Sequence, residues 1–306
     1  MSGVPFDFAV ENCPLAPLTL YKVGGPAKLG IIPRNEEEVR RAYAWLRDQP
    51  GPKLVLGGGS NVLIADEGFP GIVVFSTELT RMDSLGDDRY AVEGGVDLDL
   101  FVREVVLRHN YRGAGGLTGI PGSVGGAIYM NAGTVNGSIC ELLETVDIAT
   151  ETGMRTVPMN ASLYGYRGQT FCPPGALIVR GRFKMQPSEE DQTAIYKHYK
   201  QRRIEKQPQG NSCGSVFKNP NGDHAGRLIE AAGLKGTRRG GAVISTMHAN
   251  FILNDNGATC DDILHLVDLA KRTVKEKFGV TLEEEVRIYG QERPDQLIAS
   301  SDDDDE

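Results

Sequence analysis

A short glycine-rich segment constrains the fold of this chain more than any other feature. Between two apolar runs at residues 54–56 and 62–64, the first glycine loop consists of Gly57, Gly58, Gly59, Ser60 and Asn61. Consecutive glycines let the main chain turn sharply and approach a ligand closely, and successive amides in such a turn form an anion-binding concavity. The sequence therefore predicts a phosphate or pyrophosphate site, with an ordinary glycine-rich hairpin as the alternative.

The first glycine loop matches neither of the two common nucleotide-binding motifs. It lacks the Gly-Lys-Ser/Thr ending of a Walker A motif, and a strand-like run follows it where the Rossmann motif needs a helix. A second glycine loop at residues 113–133 contains Gly119, Pro121, Gly122, Ser123, Gly125, Gly126 and Ala127. Because apolar residues are interspersed with its glycines, this loop is unlike a solvated linker. Two such loops predict a nucleotide cofactor that both contact; a buried turn between core strands is the alternative.

The composition limits the partners of the chain. Its 306 residues suffice for two or three domains with a sizeable core. The net charge of −8 disfavours nucleic-acid binding, no apolar run is as long as a membrane-spanning helix, and the N-terminus lacks the pattern of a signal peptide. Five scattered cysteines without a Cys-x-x-Cys pair indicate a reducing cytoplasm and no metal site. We expect a cytoplasmic monomer with no nucleic-acid partner and no membrane insertion.

Strand-like and helix-like patterns alternate along the chain, which predicts an α/β or α+β fold. Helix starts are indicated by Asn35, by Asp97 and by a Thr259–Asp262 capping box. Another helix ends near Arg202 and Arg203, which we interpret as a solvated basic face, with phosphate contact as the alternative. Changes of composition divide the chain into an irregular lead-in at 1–18, a first domain at 19–186 with a division near residue 77, a second domain at 187–292, and a disordered acidic tail at 293–306.

The two glycine loops carry a resemblance to a known family. Residues 57–69 and 119–127 resemble the flavin-binding segments of the UDP-N-acetylenolpyruvoylglucosamine reductases, also called UDP-N-acetylmuramate dehydrogenases. Three later segments match the same family in the same order, so that the resemblance covers residues 19–290. It implies an α+β chain with a vanillyl-alcohol-oxidase-type (PCMH-type) FAD-binding fold in two α/β subdomains, followed by a C-terminal α+β substrate-binding domain. It also implies non-covalent FAD as cofactor, NADPH as co-substrate and a UDP-sugar as substrate.

The first of the three later segments contains Tyr166 and Arg167. The family places this arginine in its active site, so the resemblance implies that Arg167 is catalytic and that Tyr166 contacts the substrate. A surface arginine packed on a tyrosine is the alternative. Gln169 stands where the family has Ser or Thr, and the hydrogen bonds of this loop are therefore expected to differ.

The second segment begins at residue 214 and is similar to the family motif Gly-Ser-x-Phe-Lys-Asn-Pro. The resemblance implies that Ser215 is the proton donor, while Lys218 and Asn219 face the diphosphate of the substrate. An ordinary turn is the alternative. The short spacing between Arg167 and Ser215 is similar to that of the family's shorter type, which lacks an additional substrate-covering loop.

The third segment is the strand-like run at residues 280–289. Strand alternation puts Glu285 and Arg287 on the face opposite to the apolar residues, and the family places its catalytic glutamate immediately before a valine, which selects Glu285. A solvated acidic edge strand is the alternative. In the segment before the last helix, Asn250 is a candidate ligand contact, and His248 is interpreted as structural.

The resemblance implies an enzyme that reduces the enolpyruvyl ether of UDP-N-acetylglucosamine to the lactyl ether during peptidoglycan synthesis. A flavin oxidase with the same cofactor fold is one alternative; against it, neither glycine loop has a His or Cys placed for a covalent flavin link. A catalytically silent nucleotide-binding protein is the other alternative. The separate motifs around Arg167, Ser215 and Glu285 count against it, because a protein that only binds does not need all three.

Overall fold

The structure of the protein, a computed structural model, describes residues 4–290. Helices and strands are mixed along this part of the chain, so the α+β class predicted from the sequence is confirmed. The predicted acidic tail at 293–306 lies outside the described residues. Within the described residues, no helix is both long enough and apolar enough to cross a lipid bilayer.

The first subdomain is a four-stranded sheet with one helix packed on it. Its elements are β1 (Ala9–Pro14), β2 (Pro26–Ile31), α1 (Glu36–Leu46), β3 (Lys53–Leu56), β4 (Val62–Ile64) and β5 (Phe69–Phe75). The strand order is β1-β2-β5-β3; β1 runs antiparallel to β2, and the other pairs are parallel. Asn35 caps α1 as predicted, because its side chain accepts a hydrogen bond from the Glu38 N–H at 3.0 Å. The strand β4, which follows the first glycine loop, lies outside this sheet.

The N-terminal segment differs from the sequence prediction. The irregular lead-in predicted up to residue 18 is wrong for Ala9–Pro14, which form the edge strand β1 along β2. Only Cys13 of this strand is fully buried, so its side chains lack the apolar alternation by which a sequence reveals a strand. Ahead of the strand, Phe6 stacks on Phe8 with ring centroids 4.8 Å apart and packs edge-on against Trp45 of α1, which fastens the segment to the subdomain.

The second subdomain is a five-stranded antiparallel sheet with helices on one face. Its elements are β6 (Met82–Gly86), β7 (Arg89–Glu93), α2 (Leu98–Phe101), α3 (Ala114–Leu117), α4 (Val124–Tyr129), β8 (Gly133–Thr134), β9 (Gly137–Ser138), β10 (Leu143–Thr150), β11 (Gly153–Pro158), β12 (Tyr164–Gly165), β13 (Gly168–Gln169) and β14 (Leu177–Lys184). The sheet order is β11-β10-β14-β7-β6. Asp97 caps α2 as predicted, and α2 continues into a π-helical stretch, Val102–Leu107. Phe101 and Phe183 are fully buried between helices and sheet.

The C-terminal part is a small sheet covered by the longest helix of the described residues. Its elements are α5 (Gln192–Lys206), α6 (Ala225–Ala231), β15 (Arg238–Arg239), β16 (Ala242–Ile244), β17 (Ile252–Asn254), α7 (Cys260–Phe278) and β18 (Arg287–Tyr289). The strands β15, β16 and β17 are antiparallel in that order. The helix α7 begins at the predicted capping box of Thr259 and Asp262, and it ends at Gly279 in a left-handed conformation with φ of +70°.

Two contacts join the C-terminal part to the subdomains. The strand β18 pairs in parallel with β4, with Arg287 opposite Val62, so the chain that carries Glu285 runs beside the first glycine loop. The helix α5 follows the predicted boundary at residue 187, and its Tyr196 packs into the core of the second subdomain and donates to the Asp99 carboxylate at 2.8 Å. These contacts bring all three parts of the molecule around one cavity.

Candidate active site

One large cavity, about 1640 Å³ in volume, lies where the two subdomains and the C-terminal part meet. Its wall contains both glycine loops, the β8–β9 and β12–β13 hairpins, α5, and the segments around Ser215 and Glu285. The volume exceeds the roughly 300–1000 Å³ of most small-molecule pockets. The cavity therefore has room for a dinucleotide together with a second ligand.

The two glycine loops, which the sequence predicts to contact one ligand, touch each other in the cavity wall. A Cβ atom on Gly58 would lie 2.9 Å from the Gly122 Cα, and one on Gly122 would lie 2.4 Å from the Ser60 Oγ. Gly122 also has a φ of +118°, which L side chains rarely adopt. Gly122 makes this loop-to-loop contact; the other predicted cofactor-binding residues line the cavity, namely Gly57, Gly58, Gly59, Ser60, Asn61, Gly119, Pro121, Ser123, Gly125, Gly126 and Ala127.

The first glycine loop offers unused hydrogen-bond donors to the cavity. The main-chain N–H groups of Gly58, Gly59 and Ser60 donate to no acceptor within the described residues, and all three residues line the cavity. Adjacent amides without protein partners form a concave site that suits the oxygens of a phosphate or pyrophosphate. The donor set of this loop thus fits the nucleotide cofactor predicted from the sequence.

Arg167 and Glu285 form an ion pair in the same wall. The Arg167 Nε donates to the Glu285 Oε1 at 2.7 Å, and its Nη1 donates to the Gly133 carbonyl at 3.1 Å. Arg167 lies in the turn between β12 and β13 with a φ of +57°, an uncommon conformation for a residue with a side chain and one that clusters at functional sites. Burial raises the pKa of the Glu285 carboxyl, and the charge of Arg167 opposes that effect.

Main-chain hydrogen bonds connect Ser215, Glu285 and the first glycine loop. The Glu285 N–H donates to the Val216 carbonyl at 2.8 Å, directly after Ser215. The Asn61 side chain donates to the Glu285 carbonyl at 3.0 Å, and the Asn61 carbonyl accepts from the Arg287 N–H at 3.0 Å. The structure thus brings together three segments that the sequence could only identify separately.

Two of the residues predicted to bind substrate line the cavity. The Tyr166 ring lies with its centroid 5.1 Å from the Arg167 guanidinium carbon. Asn219 lines the cavity while its Oδ1 accepts a hydrogen bond from the Ala225 N–H at 3.1 Å. Gln169, where the family has Ser or Thr, exchanges two hydrogen bonds with the Cys172 main chain at 2.6 and 2.8 Å, so the loop that carries Arg167 is closed by its own side chain.

The other two predicted substrate contacts lie behind the wall. Lys218 forms an ion pair with Glu283 outside the cavity lining. Asn250 is buried, and both polar atoms of its side chain bond to the main chain of Phe217. Neither side chain reaches the cavity in this structure, and their roles toward the substrate stay predictions.

Arg203 is a cavity residue that the sequence interpretation missed. Arg202 is exposed, as predicted for a solvated basic face, although it also borders the cavity; the prediction is wrong for Arg203, which is half-buried in the cavity wall. A Cβ atom on Gly119 would lie 2.5 Å from the Arg203 Cδ, so the stem of the arginine crosses the second glycine loop. Burial, and then the charge of Arg167, lower the pKa of its guanidinium. Two neighbouring cations in one wall favour an anionic ligand.

Arg287 and His248 also line the cavity. Strand alternation had put Arg287 on the face of Glu285, and its guanidinium carbon lies 5.2 Å from the centroid of the Tyr129 ring. His248 was interpreted as structural, but it lies in the wall, where its Nδ1 accepts from the Asn250 N–H at 3.3 Å. Burial lowers the pKa of the His248 imidazole. The strand alternation that puts Glu285 opposite the apolar residues applies equally to Arg287 and could have identified it, whereas no local signal identified His248.

Comparisons with known proteins agree with this geometry. A family model described as an FAD binding domain matches residues 27–157, and one described as the UDP-N-acetylenolpyruvoylglucosamine reductase C-terminal domain matches residues 206–289. The UDP-N-acetylenolpyruvoylglucosamine reductase of Anaeromyxobacter dehalogenans (strain 2CP-C) is 40% identical over 290 residues, which cover 94% of this chain and 88% of the relative. The enzyme of the same name from Chloroflexus aurantiacus is 40% identical over 288 residues, covering 90% of this chain and 95% of the relative.

A solved structure is similar over nearly the whole chain. The crystal structure of UDP-N-acetylenolpyruvylglucosamine reductase from Thermus caldophilus matches with a TM-score of 0.77 at 37% identity, covering 92% of this chain and 98% of that chain. The predicted vanillyl-alcohol-oxidase-type FAD-binding fold with a C-terminal α+β domain is thereby confirmed, and the free amides of the first glycine loop fit the pyrophosphate of FAD. The chain is an FAD-binding oxidoreductase and belongs to the UDP-N-acetylenolpyruvoylglucosamine reductase family.

Proposed function

We propose that this chain reduces UDP-N-acetyl-3-O-(1-carboxyvinyl)-glucosamine to UDP-N-acetylmuramate with NADPH, using non-covalent FAD, on the route to peptidoglycan. The Arg167–Glu285 ion pair carries the proposal, because it puts a fixed cation and a titratable carboxyl in one cavity with both glycine loops and Ser215. A protein that only binds a nucleotide has no need of that pair. When bound, FAD supplies the transfer of hydride from NADPH to the enolpyruvyl methylene carbon.

The cavity wall supplies different groups to the two ligands. The amides from Gly58 to Ser60 hold the FAD pyrophosphate, and Arg203 adds positive charge to the same wall. The C-terminal domain, residues 187–292, contributes the substrate side of the cavity. There Asn219 binds the UDP-sugar, and Lys218 adds charge from behind the wall.

Arg167 stabilises the negative charge that spreads onto the substrate carboxylate as hydride adds. Its guanidinium is already held by Glu285 and by the Gly133 carbonyl, so it does not have to reorganise when charge develops. A preorganised donor of this kind typically contributes about 3 to 4 kcal/mol to lowering the barrier.

Ser215 delivers the proton that completes the reduction, to the carbon next to the carboxylate. A serine hydroxyl is a weak acid, so neighbouring groups must assist it and resupply its proton. Burial raises the pKa of the Glu285 carboxyl while the charge of Arg167 opposes that effect, so Glu285 is protonated more readily than an exposed carboxyl, and its protonated form can donate a hydrogen bond to the developing oxyanion. The hydrogen bond between the main chains of Glu285 and Val216 holds the segments that carry Glu285 and Ser215 next to each other.

The test separates the two halves of the reaction. The flavin is released by denaturation and identified, and the native protein is reduced anaerobically with NADPH and then mixed with the enolpyruvyl substrate. We expect the absorbance of oxidised flavin to return with this substrate, whereas the lactyl product, as matched control, leaves the flavin reduced. A parallel reduction with NADH measures the coenzyme preference. A protein without affinity for FAD, or a reduced flavin that the substrate does not reoxidise, contradicts the proposal.

A further inference from the structure

We propose that Asn250 is a positioning residue, which holds the Ser215 segment in place relative to Glu285 instead of contacting a ligand. The inference rests on the proposed function, because it assigns Asn250 a role through Ser215. The burial of Asn250 and its hydrogen bonds within the protein also support it, and they do not depend on a bound ligand.

Asn250 holds the two residues that directly follow Ser215. Its side chain is buried, with 3% of the residue exposed. The Asn250 Oδ1 accepts from the Phe217 N–H at 3.0 Å, and the Nδ2 donates to the Phe217 carbonyl at 2.8 Å. The Asn250 carbonyl accepts from the Val216 N–H at 2.8 Å. A single residue therefore bonds to three main-chain polar groups of this segment, the Val216 N–H and both the N–H and the carbonyl of Phe217.

The position of the Ser215 hydroxyl depends on that main chain. Its Oγ makes no hydrogen bond within the residues that the structure describes, so no side-chain partner holds it. The adjacent side chains of Val216 and Phe217 are each only 1% exposed and anchor the segment in the C-terminal core. Packing of Val216 and Phe217 fixes how deeply the segment is buried. The hydrogen bonds to Asn250 fix its position along the cavity wall.

The same segment also helps to fix the position of the Glu285 main chain. The Val216 carbonyl accepts from the Glu285 N–H at 2.8 Å, while the Val216 N–H donates to Asn250. The peptide groups of Val216 thus lie between the two residues, and a shift of this segment moves Ser215 and Glu285 together. A displacement of about 1 Å from a productive geometry can slow an enzymatic step by roughly 10²-fold.

Asn250 is itself rigid, which a positioning residue requires. It lies in the tight connection between β16 and β17, where the Ser245 N–H donates to the Phe251 carbonyl at 2.8 Å and the Phe251 N–H donates to the His248 carbonyl at 3.0 Å. Its own N–H donates to the His248 Nδ1 at 3.3 Å. All of its polar groups are committed within the protein, and none is directed to the cavity.

The chain offers a matched control in Asn254, four residues further along. The Asn254 Nδ2 donates to the Tyr21 carbonyl at 2.8 Å, and its Oδ1 accepts from the Ala258 N–H at 2.9 Å. Its carboxamide thus makes the same two kinds of main-chain hydrogen bond as that of Asn250, but to Tyr21 and Ala258 instead of to Phe217. Asn254→Ala removes equivalent bonds while the hydrogen bonds from Asn250 to Val216 and Phe217 stay in place.

The experiment compares Asn250→Ala, the milder Asn250→Ser and Asn254→Ala with the wild-type holoenzyme. Both alanine variants should lower the unfolding temperature. Only the Asn250 variants should slow reoxidation of the reduced flavin by the enolpyruvyl substrate, by on the order of 10- to 10²-fold. Reduction by NADPH and the Kd of the substrate should stay at wild-type values. The Asn250→Ser variant supplies the measurement if Asn250→Ala does not fold.

Three outcomes overturn the inference. A rise in the substrate Kd with an unchanged reoxidation rate identifies Asn250 as a ligand contact. A reoxidation rate equal to that of the wild type shows that Asn250 does not position Ser215, and an equal slowing in Asn254→Ala attributes the effect to general loosening of the C-terminal domain. Failure of the wild type to be reoxidised contradicts the proposed function itself, which is a separate result.

Discussion

The glycine loops and the Arg167–Ser215–Glu285 cluster face one cavity, but they are built by opposite means. The loops depend on the absence of side chains. Gly58 and Gly122 let two stretches of main chain meet, and main-chain amides of the first loop have no hydrogen-bond partner within the described residues. The cluster depends on side chains that distant segments hold in place, since Arg167 and Glu285 are 118 positions apart in the sequence. We therefore expect changes in the loops to affect cofactor retention, and changes in the cluster to affect chemistry on the substrate.

The largest expected effect of this difference is at Ser215. Replacing Ser215 with alanine should slow reoxidation of reduced flavin by the enolpyruvyl substrate about 10⁴-fold or more, at the upper end of what general acids supply. Flavin content and reduction by NADPH should stay near normal, because neither needs a proton on substrate carbon. Ser215→Cys should retain more activity than the alanine variant, since a thiol still donates. Stopped-flow absorbance of the two half-reactions measures all three quantities.

If Ser215→Ala slowed both half-reactions equally, the prediction that the cluster acts only on the chemistry of the substrate would be wrong. Substrate reduction at the normal rate would show that another group supplies the proton.

Arg167 should show the next largest effect. Arg167→Lys keeps the charge but loses the fork that bonds to Glu285 and to the Gly133 carbonyl. The rate of the substrate half-reaction should fall roughly 10²- to 10³-fold, as when one preorganised donor is lost. Arg155→Lys is the matched control, because Arg155 donates to the Phe171 carbonyl at 2.7 Å outside the cavity wall. A comparable loss of rate in both variants would show that Arg167→Lys acts by disturbing the fold and not by removing charge stabilisation.

Glu285 should give a smaller, pH-dependent effect. Because burial raises the pKa of its carboxyl, the protonated form persists further toward neutral pH, and the substrate half-reaction should slow as pH rises through that pKa. Glu285→Gln keeps a hydrogen-bond donor and should flatten this limb of the rate profile while retaining most of the low-pH rate. The check is single-turnover reoxidation of reduced flavin as a function of pH.

The same titration predicts a change in stability. A carboxyl whose pKa is higher in the folded than in the unfolded state binds protons more tightly when folded, so the free energy of unfolding decreases as pH rises from the unfolded to the folded pKa. Urea unfolding of the wild type should show this decrease, and Glu285→Gln should lack it. A wild-type profile that does not change with Glu285→Gln would assign the titration to another group.

Sequence patterns revealed the loops more completely than the cluster, for a physical reason. Both glycine loops and the caps of α1, α2 and α7 are local features, since a cap or a turn is specified within a few residues. The family motifs also found Arg167, Ser215 and Glu285, but not what holds them. Asn250 was selected as a ligand contact because a polar residue in a family-like segment gives no indication of which way it faces.

Two differences between the sequence prediction and the structure have a non-local origin. The Arg203 side chain becomes part of the cavity only because α5 packs on the second subdomain and crosses Gly119. The edge strand β1 has mostly exposed side chains, and its pairing with β2 comes from main-chain hydrogen bonds, which every residue type except proline can donate. Burial and pairing that depend on where other elements lie are absent from any short window of sequence.

The smallest expected effect, and the sharpest test of the loops, is at Gly122. A Cβ atom there would lie 2.4 Å from the Ser60 Oγ at a φ of +118°, whereas Gly153 has a φ of +122° with no atom within 4 Å of an added Cβ. Gly122→Ala and Gly153→Ala thus carry similar backbone strain, but only the first crowds the side chain of Ser60, whose amide faces the cavity. We expect the FAD Kd to rise on the order of tenfold in Gly122→Ala, which corresponds to about 1.4 kcal/mol of binding free energy. Gly153→Ala should keep the wild-type Kd for FAD in a flavin fluorescence titration. An equal rise of the Kd in both variants would mean that backbone strain, and not the contact between the two glycine loops, governs cofactor affinity.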